Sequence, residues 1–170
     1  MLPLDVLYLP EEPAHNAEIE EINAEAFGPG RFAKAAYKIR EGGPHDLKLS
    51  FVAVRNGSVV GSVRMTPVSA GEGRAVLLGP LAVRPAHKNL GIGRKLVAIA
   101  QKAAEDHGHG AVVLVGDEPY YGPLGFKMIP PGQVRMPRPV DPRRLLSYEI
   151  VPGTTAALKG EMNHAAVPGR

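Results

Sequence analysis

Gly91 and Gly93 stand two apart, with Lys88, Arg94 and Lys95 around them, where an apolar run ends and a helical pattern begins. Such a junction can bind phosphate. Glycines let the backbone approach a ligand closely and tolerate unusual dihedrals. A helix start offers unpaired N–H groups and the positive end of its dipole, and the three side chains add positive charge. The residues from Leu78 to Leu96 therefore point to a ligand that carries a diphosphate.

The spacing excludes two common phosphate-binding designs. A dinucleotide fingerprint needs a third small residue, three after the second glycine, in a parallel-sheet setting. Leu96 occupies that position here. A P-loop needs Gly-Lys followed by Ser or Thr, and Gly93 is followed by Arg94.

The elements that must hold this turn can be read from periodicity. Asp5–Leu9 reads as a first strand. Pro13–Phe27 carries Ile19, Ile22 and Ala26 at helical spacing, and Phe32, Ala35, Ala36 and Ile39 repeat the pattern before Gly42-Gly43-Pro44. Two strands then flank Asn56-Gly57-Ser58, a hairpin signal, and a turn at 70–73 leads into Ala75–Val83. These three strands form an antiparallel meander. Gly79-Pro80 sits inside the third, and proline cannot donate to a ladder, so a bulge or a break in pairing is expected there. Gly91–His107 is helical. Ala111–Val115 is a continuous apolar run, a strand buried on both faces and parallel to the one before the helix. One helical turn at 119–124, a strand at 126–129 and a last strand at 148–151 complete the domain. The expected fold class is α/β (α+β): a single domain over 1–152, with a mixed, mostly antiparallel sheet flanked by helices. Residues 153–170, with Gly160, Pro168 and Gly169, read as a loosely packed tail.

Composition bounds the function. The 170 residues suit one domain with an aliphatic core, since 44% are apolar but only 5% aromatic. No cysteine is present, which excludes a thiol nucleophile, disulfides and Cys-ligated zinc. The net charge of +3 is a small excess, and stacking aromatics are sparse, so nucleic acid is not the expected partner. No apolar run reaches membrane-spanning length, and the N-terminal stretch with Asp5 does not read as a signal peptide. A cytoplasmic protein is expected.

Lys88-Asn89-Leu90-Gly91-Ile92-Gly93 resembles the acyl-CoA turn, Q/R-x-x-G-x-G/A, of the GNAT superfamily of N-acetyltransferases. It departs only in Lys88, which keeps the charge but not the planar fork. Leu81-Ala82-Val83-Arg84-Pro85 looks like that superfamily's fourth strand. Tyr120-Tyr121-Gly122-Pro123-Leu124-Gly125-Phe126 resembles its Tyr-x-x-x-Gly-Phe motif, and Gly116–Tyr121 is most similar to the predicted acetyltransferases of the YhbS type. The resemblance covers residues 74–130.

The resemblance implies a GNAT-like sheet with splayed central strands and acetyl-CoA as co-substrate, with no metal. Pantetheine and acetyl contacts fall to Leu81, Ala82 and Val83, and diphosphate contacts to Lys88, Asn89, Leu90, Gly91, Ile92, Gly93 and Arg94. Tyr121 matches the general acid, and Tyr120 reads as packing. For the general base the fourth strand offers no carboxylate, which leaves Asp117, Glu118 and His45, with Asp117 taken as the site residue. Direct attack by a primary amine of a small molecule or a protein is implied, and a homodimer by analogy with relatives. Two other readings remain: a non-catalytic acyl-CoA-binding module, and a modifying acetyltransferase acting on tRNA or protein. Arg31, Lys34, Lys38 and Arg40 can attract an acidic acceptor, but at helical spacing they read as a solvated face.

Overall fold

The computed structural model describes residues 5–167. Met1–Leu4 of the N-terminal stretch, and Pro168 and Gly169 of the tail, lie outside the described residues. The sheet is built from β1 (Leu7–Pro10), β2 (Phe51–Arg55), β3 (Ser58–Ala70), β4 (Gly73–Val83) and β5 (Ala111–Val115). The short β6 (Lys127–Met128) and β7 (Val134–Arg135), then β8 (Leu145–Glu149) and β9 (Gly160–His164), complete it. Its order is β1-β2-β3-β4-β5-β8-β6, with β9 against β3 and β7. All pairs are antiparallel except β4 with β5 and β7 with β9.

Helix α3 (Ile92–Asp106) covers one face. Its Ile92, Leu96, Val97 and Ala100 pack on Val63, Met65, Val76 and Leu114. Helices α1 (Asn16–Phe27) and α2 (Ala35–Arg40) cover the other. Ile19 and Ile22 of α1 rest on Val52, Val59 and Ala82, and Ile39 of α2 joins Val68, Leu77 and Val113. The two short helices are α4 (Glu118–Tyr121) and α5 (Thr154–Ala157).

The expected break at Gly79-Pro80 is a bulge. Val63 pairs Leu81 and Met65 pairs Leu78, so Gly79 and Pro80 together oppose Arg64. The extra residue shifts the side-chain alternation: Val76, Leu78, Leu81 and Val83 all pack with the α3 layer. Pairing of β4 with β5 is confined to Val76 and Leu77 against Val112 and Val113. Beyond that point β4 leaves β5, and its edge from Leu78 onward is open on that side.

The tail differs from its expected loose packing. β9 pairs with the end of β3, with Met162 and Leu158 fully buried. His164 shares a hydrogen bond with the Pro44 carbonyl at 2.8 Å and accepts one from the Ala166 amide at 2.9 Å. A β-carbon at Gly43 would lie 2.6 Å from the His164 ring, so the glycine makes room for this docking. The strand expected at 148–151 also lies earlier, as β8 at Leu145–Glu149, and it is followed by β9.

Candidate active site

The open edge of β4 forms one wall of a cleft of about 770 Å³. Leu78–Leu81 of the bulge, Leu114–Asp117 at the end of β5, Tyr121 of α4 and side chains of α1 and α2 line it. The sheet diverges at this point because the bulge and the short parallel register leave β4 without a second neighbour. Unpaired strand edges are hydrogen-bonding surfaces, so the wall can take an extended ligand as an added strand.

Residues Val83 to Ile92 carry the chain from this edge to α3. Asn89 and Gly91 both have positive φ, 63° and 81°, and Gly91 caps the helix. Lys88, Asn89, Leu90 and Gly91 are exposed. Among the described residues, the amides of Asn89, Leu90 and Gly91 have no backbone partner, and those of Ile92, Gly93 and Arg94 belong to the first helical turn. The result is a fan of donors at a helix start, suited to an oxyanion. This turn does not line the 770 Å³ cleft. It is joined to it through Tyr120, whose hydroxyl would lie 2.8 Å from a β-carbon at Gly93, and Arg94 stands 5.6 Å from the Tyr120 ring centre.

Tyr121 reaches the cleft from α4. Its ring packs edge-on against Tyr120 at 4.7 Å and Phe126 at 5.7 Å. A β-carbon at Gly116 would lie 2.5 Å from it, so that glycine allows the ring to sit against the end of β5. Burial above all, then the neighbouring Tyr120 and Asp117, push the Tyr121 phenol up to about 12. It is a proton donor at neutral pH.

The three carboxylate and imidazole candidates sit differently. Asp117 lines the cleft, but its side chain is 75% exposed and meets Arg144 Nε at 3.2 Å. Glu118 is exposed and curls over Gly122. His45 lines the cleft with Nε2 held 2.8 Å from Glu11 Oε2. That last pairing belongs to a network that sequence reasoning missed. Glu11 is only 5% exposed and also takes Arg64 at 3.0 and 3.2 Å, and Arg64 reaches on to Glu20 and Asn16. Burial pushes the Glu11 carboxyl up, but hydrogen bonds from His45 and Arg64 outweigh it and hold it below its ordinary range. No sequence signal links Glu11 to Arg64, which are 53 positions apart.

Arg40 corrects the reading of the cations at 31–40 as one solvated face. Arg31, Lys34 and Arg40 all line the cleft; Lys34 is exposed, whereas burial chiefly lowers the Arg40 pKa to about 10. No group of three or more His, Asp or Glu side chains that could hold a metal occurs among the described residues. No helix there is long and apolar enough to cross a membrane.

The model of the acetyltransferase (GNAT) family matches residues 16–126. The uncharacterized N-acetyltransferase YhbS of Escherichia coli K12 is 32% identical over 121 residues, which is 69% of this chain and 71% of that protein. The crystal structure of E. coli YhbS in complex with CoA superposes with a TM-score of 0.81 at 26% identity, covering 96% of this chain and 92% of that one. A GNAT family acetyltransferase from Brucella melitensis, in complex with acetyl-CoA, gives a TM-score of 0.61 at 27% identity over 86% and 97% of the two chains.

Proposed function

Because this chain belongs to the GNAT acetyltransferase family, we propose that it transfers an acetyl group from acetyl-CoA to a primary amine by direct attack within a ternary complex. The observation that carries the reading is the divergence of β4 from β5, which opens an unpaired strand edge beside Tyr121. The relatives bound to CoA and acetyl-CoA support the choice of cofactor.

The pantetheine arm lies along Leu81, Ala82 and Val83 as an added strand. The diphosphate sits on the amides from Lys88 to Arg94, with Lys88 and Arg94 supplying charge. A β4 amide polarises the thioester carbonyl as charge develops on its oxygen. The neutral amine attacks the carbonyl carbon, the carbon–sulfur bond breaks, and the electron pair leaves on sulfur.

Tyr121 then protonates the departing thiolate. An ordinary thiol lies roughly three pKa units below a phenol at about 12. The burial that raises the phenol acts equally on a thiolate leaving into the same cleft, which narrows that gap. The proton lost by the amine goes to Asp117 or His45, both of which line the cleft.

The test is acetyl-CoA titration by calorimetry together with thiol release across a panel of primary amines. Binding with amine-dependent release is the expected result. Binding without release from any amine or from a protein lysate would favour the non-catalytic CoA-binding module.

A further inference from the structure

Three residues lining the cleft each have a buried polar side-chain atom without a partner among the described residues. Asn23 of α1, 4% exposed, leaves its Oδ1 unbonded, and Thr66 of β3, fully buried, leaves its Oγ1 unbonded. Arg40 of α2 leaves its buried Nε unbonded. Arg40 lies beside the bulge, since a β-carbon at Gly79 would stand 3.5 Å from Nη2. Its neighbour Arg64 is already engaged by Glu11 and Glu20 and only adds repulsion.

Arg40 is half-buried, with the Tyr37 ring centre 5.9 Å from its guanidinium carbon and no carboxylate paired to it among the described residues. Its unbonded Nε is costly, and a buried hydroxyl and amide oxygen left without partners add to that cost. A ligand carrying the missing anion would relieve all three. A guanidinium presents a planar fork that fits a carboxylate, and Arg31, Lys34 and Arg138, which also line the cleft, add to its positive field.

We propose that the acceptor is a small amine bearing a carboxylate, and that Arg40, with Thr66, holds that carboxylate while Asn23 accepts a hydrogen bond from the amine end. The proposal rests on the transferase reading for the position of the thioester. Arg40 borders Gly79, two residues before Leu81, so amine and carboxylate are a few bonds apart. Arg40 is a binding residue for the acceptor and takes no part in cofactor binding.

The test uses reaction products as probes, so that binding is read without turnover. N-acetyl amino acids are titrated as free acids and as the matching neutral amides, by ligand-observed NMR, against wild type, Arg40→Gln and Arg40→Lys. The expected result is a free acid preferred at least tenfold over its amide by wild type. Arg40→Gln loses that preference, Arg40→Lys keeps part of it, and acetyl-CoA affinity changes in neither. Arg40→Gln is expected to unfold at or above the wild-type temperature, because an unpaired half-buried cation is gone. Should that variant fail to fold, Thr66→Val serves in its place and is expected to weaken the acid probe several-fold. Equal binding of every acid and amide overturns the proposal, as does a preference that survives Arg40→Gln, or displacement of the probes by phosphoethanolamine alone. Absence of amine-dependent thiol release with the acid preference intact instead overturns the transferase reading.

Discussion

The Tyr120 hydroxyl lies over Gly93, where a β-carbon would stand only 2.8 Å away. The helix start that offers its amides to a diphosphate and the short helix that carries Tyr121 are thereby locked in register. A change at either end of this contact moves both halves of the donor site.

Gly93→Ala is therefore expected to displace Tyr120. Overpacking of this kind costs about 1–3 kcal/mol, equivalent to roughly a five- to 150-fold loss of affinity where the cost falls on the bound state. Calorimetry should show acetyl-CoA binding weakened within that range, with only a modest loss of thermal stability because the atom met in the first turn of α3 is the far end of the Tyr120 side chain. Unchanged affinity would detach the turn from cofactor binding.

Tyr121→Phe keeps the ring contacts with Tyr120 and Phe126 and removes only the hydroxyl. General acid catalysis contributes typically about 10²–10⁴-fold. The substitution should lower kcat by at least about 10²-fold, with acetyl-CoA affinity within about twofold. The phenol titrates near 12, so kcat/KM should rise with pH as the amine deprotonates and show no fall from Tyr121 below about pH 11.

His45→Gln and Asp117→Asn separate the two proton acceptors. The one that serves should lose roughly tenfold or more in kcat/KM. The other should behave as wild type. His45 has the firmer geometry, since Glu11 fixes its Nε2, whereas Asp117 is exposed and shared with Arg144.

The Glu11–Arg64 pair predicts acid sensitivity. The Glu11 carboxyl titrates below its ordinary 4.5 in the folded protein. Its contribution to stability is complete above that value and is lost as pH falls through the folded pKa. Chemical denaturation between pH 6 and pH 3 should show this fall, and Glu11→Gln should flatten it. At pH 7 that variant should be less stable by on the order of 3 kcal/mol, because Arg64 loses its buried partner.

The parts of the fold that were legible in the sequence are those fixed by local pattern. The hairpin at Asn56-Gly57, the bulge at Gly79-Pro80 and the apolar face of α3 each follow from neighbouring residues. β9 was not legible because Gly-Glu-Met-Asn-His offers one apolar residue, and His164 is buried through hydrogen bonds to Pro44 and Ala166. The acceptor side was illegible for a related reason. The same spacing that suggests a solvated face at 31–40 puts Arg40 into the cleft once α2 docks on the sheet, and the Glu11–Arg64–His45 cluster joins three distant segments.

The most direct measurement is the initial rate of CoA thiol release, with acetyl-CoA and a primary amine varied together. Attack in a ternary complex at the opening between β4 and β5 predicts release that requires the amine, with intersecting reciprocal plots. Parallel plots, which indicate an acetylated enzyme, or release that no amine accelerates, would contradict it.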